Sequence, residues 1–278
     1  MNVRVMTAAV LLIVLVPVVI LGGLFLDIVL ALLSMGATYE LFKMYKADLF
    51  KFNALLYIEI LLSAAVFFSV AFYLKGTLDL EYLFVLILFI IFSAGIALIF
   101  KEDFTAEDFG RLFVSVMYPA IGFATISWLR NIDIYNIGFL FMVTIFTDVF
   151  AYIFGINFGK HRLAIKISPK KSVEGAIGGT ISALILTLLY LYLLDINVVG
   201  EIKITIFTSI LLIIFISIIG QIGDLIASKL KRGFNIKDFS QLFPGHGGVM
   251  DRFDSAIFAG ITFLLISKVV GLLWIFTY

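Results

Sequence analysis

The sequence predicts an all-α, polytopic integral membrane protein. Hydrophobic residues fill 63% of the 278 positions and charged residues only 14%, a composition far more apolar than that of a soluble domain. The mean hydropathy is +1.17. Apolar stretches of about 20 residues, the length that crosses a bilayer as a helix, recur along the whole chain with short polar segments between them. These observations indicate a bundle of about nine transmembrane helices.

The first apolar stretch begins close to the first residue and is too long for the core of a signal peptide, so we interpret it as a membrane span. The pair Gly22-Gly23 separates it from the second span by a tight turn. The predicted spans are 6–23, 25–43, 54–74, 81–100, 112–130, 135–157, 174–194, 203–227 and 254–276.

The placement of Lys and Arg predicts that the N-terminus is cytoplasmic, because cytoplasmic loops are enriched in these residues. Of the 20 Lys and Arg residues, Lys268 lies within a span and only Lys75, Arg130 and Lys203 fall on the opposite side. With nine spans, both long polar loops of the second half then face the cytoplasm.

Composition also limits the chemistry of any site. The chain has no cysteine and only two histidines, His161 and His246, which excludes disulfides and thiolate metal sites and disfavours a His-rich zinc site. Oxygen ligands are the remaining choice, and they favour Mg²⁺ or a similar hard cation. A net charge of +1 gives no indication of a nucleic-acid partner.

The two halves of the chain differ in polar content. Residues 1–130 are predicted to be a lipid-facing scaffold, in which Glu40 and Glu59 are minor functional candidates because both lie near the end of a span. Residues 131–278 are predicted to be the catalytic region. There Asp148 lies about 12 Å inside its span at the helical rise per residue. A carboxylate at that depth is paired or bound to metal, or is protonated and hydrogen-bonded between helices.

The segment 168–175 combines Ser168, Pro169, two lysines, Ser172 and Glu174 before an apolar run. We expect a helix to start here, with Ser168 or Ser172 as its cap. The exposed N–H groups of such a start, together with Lys170 and Lys171, would bind phosphate. An ordinary positively charged loop is the alternative. The glycines at 175, 178 and 179 are interpreted as helix-packing positions.

The densest polar chemistry lies between 224 and 254. Asp224, Ser228 and Lys231 share one helical face by their i, i+4, i+7 spacing. Asp251 and Asp254 begin the last span three residues apart, so both carboxylates can point the same way. A divalent cation bridging two of these acids would relieve their repulsion. The glycines around His246 allow the backbone to approach a ligand closely.

These residues form a long motif that resembles the signature of the phosphatidate cytidylyltransferases, also called CDP-diacylglycerol synthases. The matching positions are Ser228-x-Leu230-Lys231-Arg232, then Lys237-Asp238-x-Ser240, then Phe243-Pro244-x-His246-Gly247-Gly248-Val249-x-Asp251-Arg252-Phe253-Asp254. The runs Ser168-Pro169-Lys170-Lys171-Ser172-x-Glu174-Gly175 and Asp148-x-x-Ala151-Tyr152 are also similar to that family. The resemblance covers the second half of the chain by motif and the first half by its pattern of spans.

The resemblance implies that CTP and phosphatidic acid react to give CDP-diacylglycerol and pyrophosphate, with Mg²⁺ as cofactor and a second cation, monovalent or divalent, left open. We assign the metal to Asp224 and Asp251, with Asp254 or Asp148 as further carboxylates. The catalytic set adds Lys231, His246 and Arg252. Predicted contacts to substrate and phosphate are Ser168, Lys170, Lys171, Ser172, Ser228, Arg232, Lys237, Gly247 and Gly248.

The resemblance further implies a homodimer among membrane lipids, and the absence of an organelle-targeting segment suggests a prokaryotic inner (cytoplasmic) membrane, with the active site facing the cytoplasm. Two alternatives stay open. A related enzyme of the same broad superfamily would be a CDP-archaeol synthase or a CTP-dependent polyprenol or phytol kinase. A transporter could use Asp148 and Asp224 as an ion relay, but the chain shows no internal repeat.

Overall fold

The computed structural model of the chain describes residues 3–45 and 54–275. These residues form nine helices and two short β-hairpins. Lys46 and Lys51, two of the lysines on the predicted cytoplasmic side, lie outside the described residues. The helices are α1 Val3–Leu21, α2 Gly23–Tyr45, α3 Ala54–Leu74, α4 Leu80–Phe100, α5 Ala106–Ile132, α6 Ile134–Phe158, α7 Val173–Leu193, α8 Ile206–Gly233 and α9 Met250–Ile275.

Each predicted span corresponds to one of these helices. Within the described residues, eight helices are long and apolar enough to cross a membrane, and α1 contributes the shorter apolar segment Ala9–Leu21. The all-α, polytopic class is therefore confirmed. Which end of the bundle faces the cytoplasm stays a prediction.

The chain divides into two compact units. The first unit comprises Met1–Asn131 and Phe234–Arg252, and the second comprises Ile132–Gly233 and Phe253–Tyr278. Most of the long motif, from Phe234 to Arg252, thus groups with the N-terminal helices. The functional division between residues 130 and 131 stays a prediction.

In the first unit, one buried carboxylate ties three helical segments together. Asp27 of α2 is 2% exposed. It accepts a hydrogen bond of 2.6 Å from Lys75, just after α3, and one of 2.5 Å from Ser127 of α5. A charge buried in a bundle needs such partners, so this group fixes one end of α2 against α3 and α5.

In the second unit, close packing of α6 on α7 depends on glycine. A Cβ atom at Gly178 would lie 2.5 Å from Phe154, and one at Gly179 would lie 2.5 Å from the carbonyl oxygen of Thr147. At Gly175 it would lie 2.6 Å from the carbonyl oxygen of Ala151. The interpretation of these three glycines as packing positions is confirmed.

Of the two predicted caps for the helix that follows, Ser172 is confirmed and Ser168 is wrong. Ser168–Ser172 is strand β2, which pairs antiparallel with β1, Arg162–Ala164, and α7 begins only at Val173. Ser172 is the cap, because its Oγ accepts a hydrogen bond of 3.1 Å from the N–H of Gly175. A two-stranded hairpin has outer edges that need no partner, so Pro169, which has no N–H group, is tolerated within the strand.

A second hairpin, β3 Val198–Val199 with β4 Ile202–Lys203, follows α7 and precedes α8. The two hairpins therefore lie at opposite ends of α7. Its 21 residues span about 30 Å at the helical rise per residue, the thickness of the hydrocarbon core.

Candidate active site

Three aspartates from three helices form the polar centre of the second unit. They are Asp148 of α6, Asp224 of α8 and Asp254 of α9, and we call them the aspartate cluster. Asp254 is 8% exposed, and the charges of Asp148 and Asp224 act on its carboxylate. Ser255 joins two members, since its N–H donates to Oδ1 of Asp254 at 2.8 Å and its Oγ donates to Oδ2 of Asp148 at 3.0 Å. The structure brings together these three predicted acids.

Two ammonium groups accompany the aspartate cluster. Nζ of Lys171 lies 2.5 Å from Oδ2 of Asp224. Lys231 is 9% exposed, and its charge acts on Asp254. Ser228 donates a hydrogen bond of 3.3 Å to Oδ1 of Asp224, as expected from their shared helical face. With every group ionised, three carboxylates face two ammonium groups and leave an excess of negative charge.

The oxygen atoms of the aspartate cluster are suitable ligands for a hard cation. Carboxylate and hydroxyl oxygens are the ligands that Mg²⁺ prefers, and the excess negative charge around the buried Asp254 favours a cation there. Among the described residues, no three His, Asp or Glu side chains are arranged to hold a metal ion as they stand. A metal would therefore need these side chains to turn, beginning with Asp224, whose Oδ2 is paired with Lys171.

The β1–β2 hairpin presents further cations beside the start of α7. Lys170 is exposed, while Lys171 reaches Asp224. Ser172, a predicted phosphate contact, is 3% exposed and its oxygen caps α7. Ser168 is half-buried in β2, and Arg232 lies exposed in the last turn of α8.

The glycine-rich part of the motif forms a tight turn in the first unit. The N–H of Phe243 donates to the carbonyl of Gly247, and that of His246 donates to the carbonyl of Phe243, each at 2.8 Å. Gly245 and Gly247 have φ of 76° and 83°, which disfavours any other residue at either position. His246 is half-buried, and its Nδ1 is buried without a hydrogen-bond partner in the described part of the chain. A ligand could bind this nitrogen only after the surrounding atoms had moved.

Asp251 holds the glycine-rich turn through hydrogen bonds to the backbone. Its Oδ2 accepts hydrogen bonds from the N–H groups of Phe239 at 2.8 Å and Gly248 at 2.9 Å. A Cβ atom at Gly247 would lie 2.7 Å from the same oxygen. The structure thus gives Asp251 a role in shaping the loop, and its assignment to the metal stays a prediction. Lys237 and Arg252 are exposed in the same unit.

Glu40 is the residue on which this loop depends, and it has only a minor place among the candidates predicted from sequence. It lies in α2 and is 2% exposed. Its carboxylate accepts hydrogen bonds from Ser240 Oγ at 2.6 Å, from the N–H of Val249 at 2.8 Å and from that of Met250 at 2.9 Å. The N–H groups of Val249 and Met250 lie at the start of α9 and have no partner within that helix. Glu40 therefore serves as a cap supplied by a distant helix.

Gly248 completes the contact with Glu40. A Cβ atom at position 248 would lie 2.3 Å from the Glu40 carboxylate, so only glycine fits. The one signal for Glu40 in the sequence is an acid near the end of a span that is otherwise apolar. Its partners lie about two hundred positions further along the chain, so no local pattern connects them.

Aromatic contacts anchor the start of the same segment. The ring of Phe234 packs edge-on against Tyr45 with centroids 5.1 Å apart, and the guanidinium of Arg111 lies 5.5 Å from the Phe234 ring. Further along, Thr7 donates a hydrogen bond of 2.9 Å to the carbonyl of Pro244. The segment is therefore held at both its beginning and its glycine turn by helices of the first unit.

Comparison with known proteins agrees with the motif. The model of the cytidylyltransferase family matches residues 2–270. The phosphatidate cytidylyltransferase of Staphylococcus haemolyticus is 36% identical over 263 residues, which cover 93% of this chain and 95% of the relative. That of Staphylococcus aureus strain COL is 35% identical over 266 residues, with the same shares of both chains. The match extends over both halves of the chain, and so this protein belongs to the cytidylyltransferase family.

Proposed function

We propose that this membrane enzyme transfers CMP from CTP to phosphatidate, giving CDP-diacylglycerol and pyrophosphate for phospholipid biosynthesis. The observation that carries the proposal is the aspartate cluster with Lys171 and Lys231, in which Asp254 and Lys231 are buried and the other members half-buried. Two polyanions must meet in this reaction, and a site of mixed carboxylates and ammonium groups is suited to a metal and to phosphates. The near full-length similarity to phosphatidate cytidylyltransferases supports this choice of substrates.

The reaction is a single displacement at phosphorus. An oxygen of the phosphatidate phosphate attacks the α-phosphorus of CTP and forms the new P–O bond. The bond from the α-phosphorus to the bridging oxygen of the β-phosphate breaks, and pyrophosphate leaves with that electron pair. The attacking oxygen is already ionised at neutral pH, so the protein needs no strong general base. Its residues have to neutralise and align the two substrates.

Mg²⁺ would be held by Asp224 and Asp251, with Asp254 and Asp148 as further carboxylates. When bound, it neutralises charge on the transferring and leaving phosphates. A second cation remains part of the proposal. Release of Lys171 from Asp224 on metal binding would free its ammonium group for a substrate phosphate.

The remaining assignments concern phosphate binding. Lys231 and Ser228 act within the second unit beside the aspartate cluster, and Lys170 and Arg232 offer exposed charge there. In the first unit, Lys237 and Arg252 hold phosphate. His246 holds phosphate or protonates the departing pyrophosphate, which fits its buried, unpartnered Nδ1. The assignment of Gly247 and Gly248 to phosphate would require the carboxylates of Asp251 and Glu40, which lie against them, to move.

The setting of the reaction is also proposed. We place the protein in a prokaryotic inner (cytoplasmic) membrane as a homodimer, with the active site on the cytoplasmic side. The distribution of Lys and Arg supports this orientation.

The deciding experiment incubates purified protein with phosphatidate, Mg²⁺ and CTP labelled at either the α- or the γ-phosphate. We expect the α label to enter the lipid. Entry of the γ label would instead identify a lipid kinase. Entry of neither, with phosphatidate and archaeal ether lipids both supplied, would refute the proposal and favour the transporter alternative.

A further inference from the structure

An apolar groove of about 350 Å³ lies between α7 and α8 in the second unit. We call it the α7–α8 groove. Its walls include Ile177 and Ile181 of α7 and Ile218, Ile222 and Leu225 of α8. Its volume falls within the range of about 300–1,000 Å³ that is typical of small-molecule sites.

The polar residues in the wall of the groove are already engaged with the protein. The Gln221 amide donates to Thr180 Oγ1 at 3.0 Å and to the carbonyl of Ala176 at 3.4 Å. Thr180 also forms a hydrogen bond of 2.9 Å with Ser217. The groove therefore offers hydrocarbon contacts to an occupant.

Cations follow the α7–α8 groove at one end, which we call its basic end. Leu163 of β1 borders the groove, and the same hairpin carries Lys171, which contacts Asp224 next to Leu225. Along α8, Lys229 and Arg232 follow Leu225 at i+4 and i+7 and so continue its helical face. Both side chains are exposed. The groove thus runs from apolar walls to a group of cations beside the aspartate cluster.

We propose that the α7–α8 groove holds one acyl chain of phosphatidate, with the lipid phosphate at its basic end. This inference rests on the proposed function and adds the place where the lipid substrate lies. An anionic lipid combines a hydrocarbon chain with a phosphate, and the groove matches both parts in the same order. The acyl chain leaves other lipid tails rather than water, so van der Waals packing against the walls of the groove supplies the affinity. The cations orient the phosphate toward the reacting site.

A second cavity provides the contrast. It lies between α3 and α4 in the first unit, has a volume of about 550 Å³ and is lined by Phe68, Phe72 and Val85 among others. Glu81 is part of its lining, whereas no charged residue lines the α7–α8 groove and cations follow that groove at one end. An anionic lipid is therefore expected to prefer the α7–α8 groove.

The first test fills the groove by Ile177→Trp and, separately, by Ile218→Trp. Both side chains are exposed, at 56% and 46%, so a larger residue can be accommodated without disturbing the core. We expect KM for dioleoyl phosphatidate to rise about tenfold, while KM for CTP and kcat/KM for dihexanoyl phosphatidate stay within about twofold. The matched control Val85→Trp fills the other cavity and should leave all three constants unchanged.

The result can contradict the inference in two ways. Unchanged KM for the long-chain lipid in both variants would overturn it. Equal losses with the long-chain and short-chain lipids in both variants would also overturn it, because the short chains do not reach along the groove. If the wild-type protein makes no CDP-lipid from either substrate, the proposed function itself has failed.

A second readout does not depend on turnover. Phosphatidate with a photoreactive group midway along one acyl chain is crosslinked to the wild-type protein in vesicles, and the labelled peptides are identified by mass spectrometry. We expect labels on α7 and α8 around Ile177 and Ile222, reduced by Ile218→Trp. Labelling spread evenly over all lipid-facing helices would overturn the inference.

Discussion

Glu40 and Ser240 are separated by two hundred positions in the sequence, yet their side chains are joined by a hydrogen bond of 2.6 Å. The same carboxylate caps the first turn of α9 through Val249 and Met250. A helix near the start of the chain thus determines the shape of the motif loop. Glu40 is a positioning residue, since it acts through the backbone that carries His246 and Asp251.

The first prediction concerns Glu40→Gln. The new amide group turns one acceptor into a donor that faces backbone N–H groups, so at least one buried N–H loses its partner. We expect the free energy of unfolding to fall by about 1–3 kcal/mol. We also expect kcat/KM to fall at least about tenfold, measured by CDP-diacylglycerol formation.

The control for this variant is Glu59→Gln, another buried glutamate of the first unit. One oxygen of Glu59 accepts a bond from Ser93 at 2.6 Å and the other has no hydrogen-bond partner among the described residues. The amide nitrogen of glutamine can take the place of this second oxygen without facing another hydrogen-bond donor. We therefore expect kcat/KM to stay near the wild-type value. Equal losses in both variants would mean that Glu40 has no special relation to the loop.

The second prediction concerns Gly248→Ala. The added methyl group would lie 2.3 Å from the Glu40 carboxylate, so the loop must shift away from α2. We expect a lower thermal midpoint of unfolding, measured by circular dichroism. We also expect kcat/KM to fall at least about tenfold, because a small displacement of catalytic groups slows a reaction by this much or more. Gly110→Ala is the control, because nothing lies within 4 Å of its Cβ position. Wild-type activity in Gly248→Ala would contradict the close contact seen here.

Much of the fold could be predicted from sequence because a bilayer imposes a length and an apolar character on every span. All nine helices can therefore be located from the sequence, and the glycines of α7 can be predicted as packing positions. The convergence of Asp148, Asp224 and Asp254 was predictable because polar side chains at this depth have to find one another. The family prediction is confirmed as well, since the motif is long enough to be specific.

Other features had no local signal. Ser168–Ser172 is a polar strand whose hydrogen bonds go to β1, and its composition is typical of a loop or a helix start. Glu40 lies in a span whose neighbouring residues give no indication of partners in a loop far along the chain. The grouping of Phe234–Arg252 with the first unit depends on the same long-range contacts.

The third prediction concerns Asp224→Asn. Removing this charge leaves Lys171 without its partner at 2.5 Å and takes away a proposed metal ligand. We expect turnover to fall about a hundredfold or more and affinity for Mg²⁺, measured by titration calorimetry, to weaken. Asp195→Asn in an exposed turn of the same unit, where asparagine tolerates the observed φ of 49°, should change neither. Unaltered Mg²⁺ affinity in Asp224→Asn would remove it from the metal site.

The fourth prediction concerns orientation. The chain has no cysteine, so Lys166→Cys and Lys203→Cys each introduce a single thiol. These positions lie at opposite ends of α7, in the β1–β2 turn and in β4, and both are exposed. In right-side-out vesicles, a membrane-impermeant maleimide should label position 203 and not position 166. Inverted vesicles should give the reverse, and the opposite pattern would place the β1–β2 hairpin outside the cytoplasm.

The fifth prediction separates two roles for Asp251. If it only shapes the loop, Asp251→Asn weakens the bonds to Phe239 and Gly248, lowers the thermal midpoint and reduces turnover without changing the Mg²⁺ concentration for half-maximal activity. If it also binds metal, that concentration rises, and because the proposed site uses this carboxylate we expect a rise of about tenfold or more. Glu40→Gln provides the comparison, since it disturbs the same loop and leaves every proposed metal ligand in place. The same Mg²⁺ dependence in both variants would restrict Asp251 to positioning and leave the metal to the aspartate cluster.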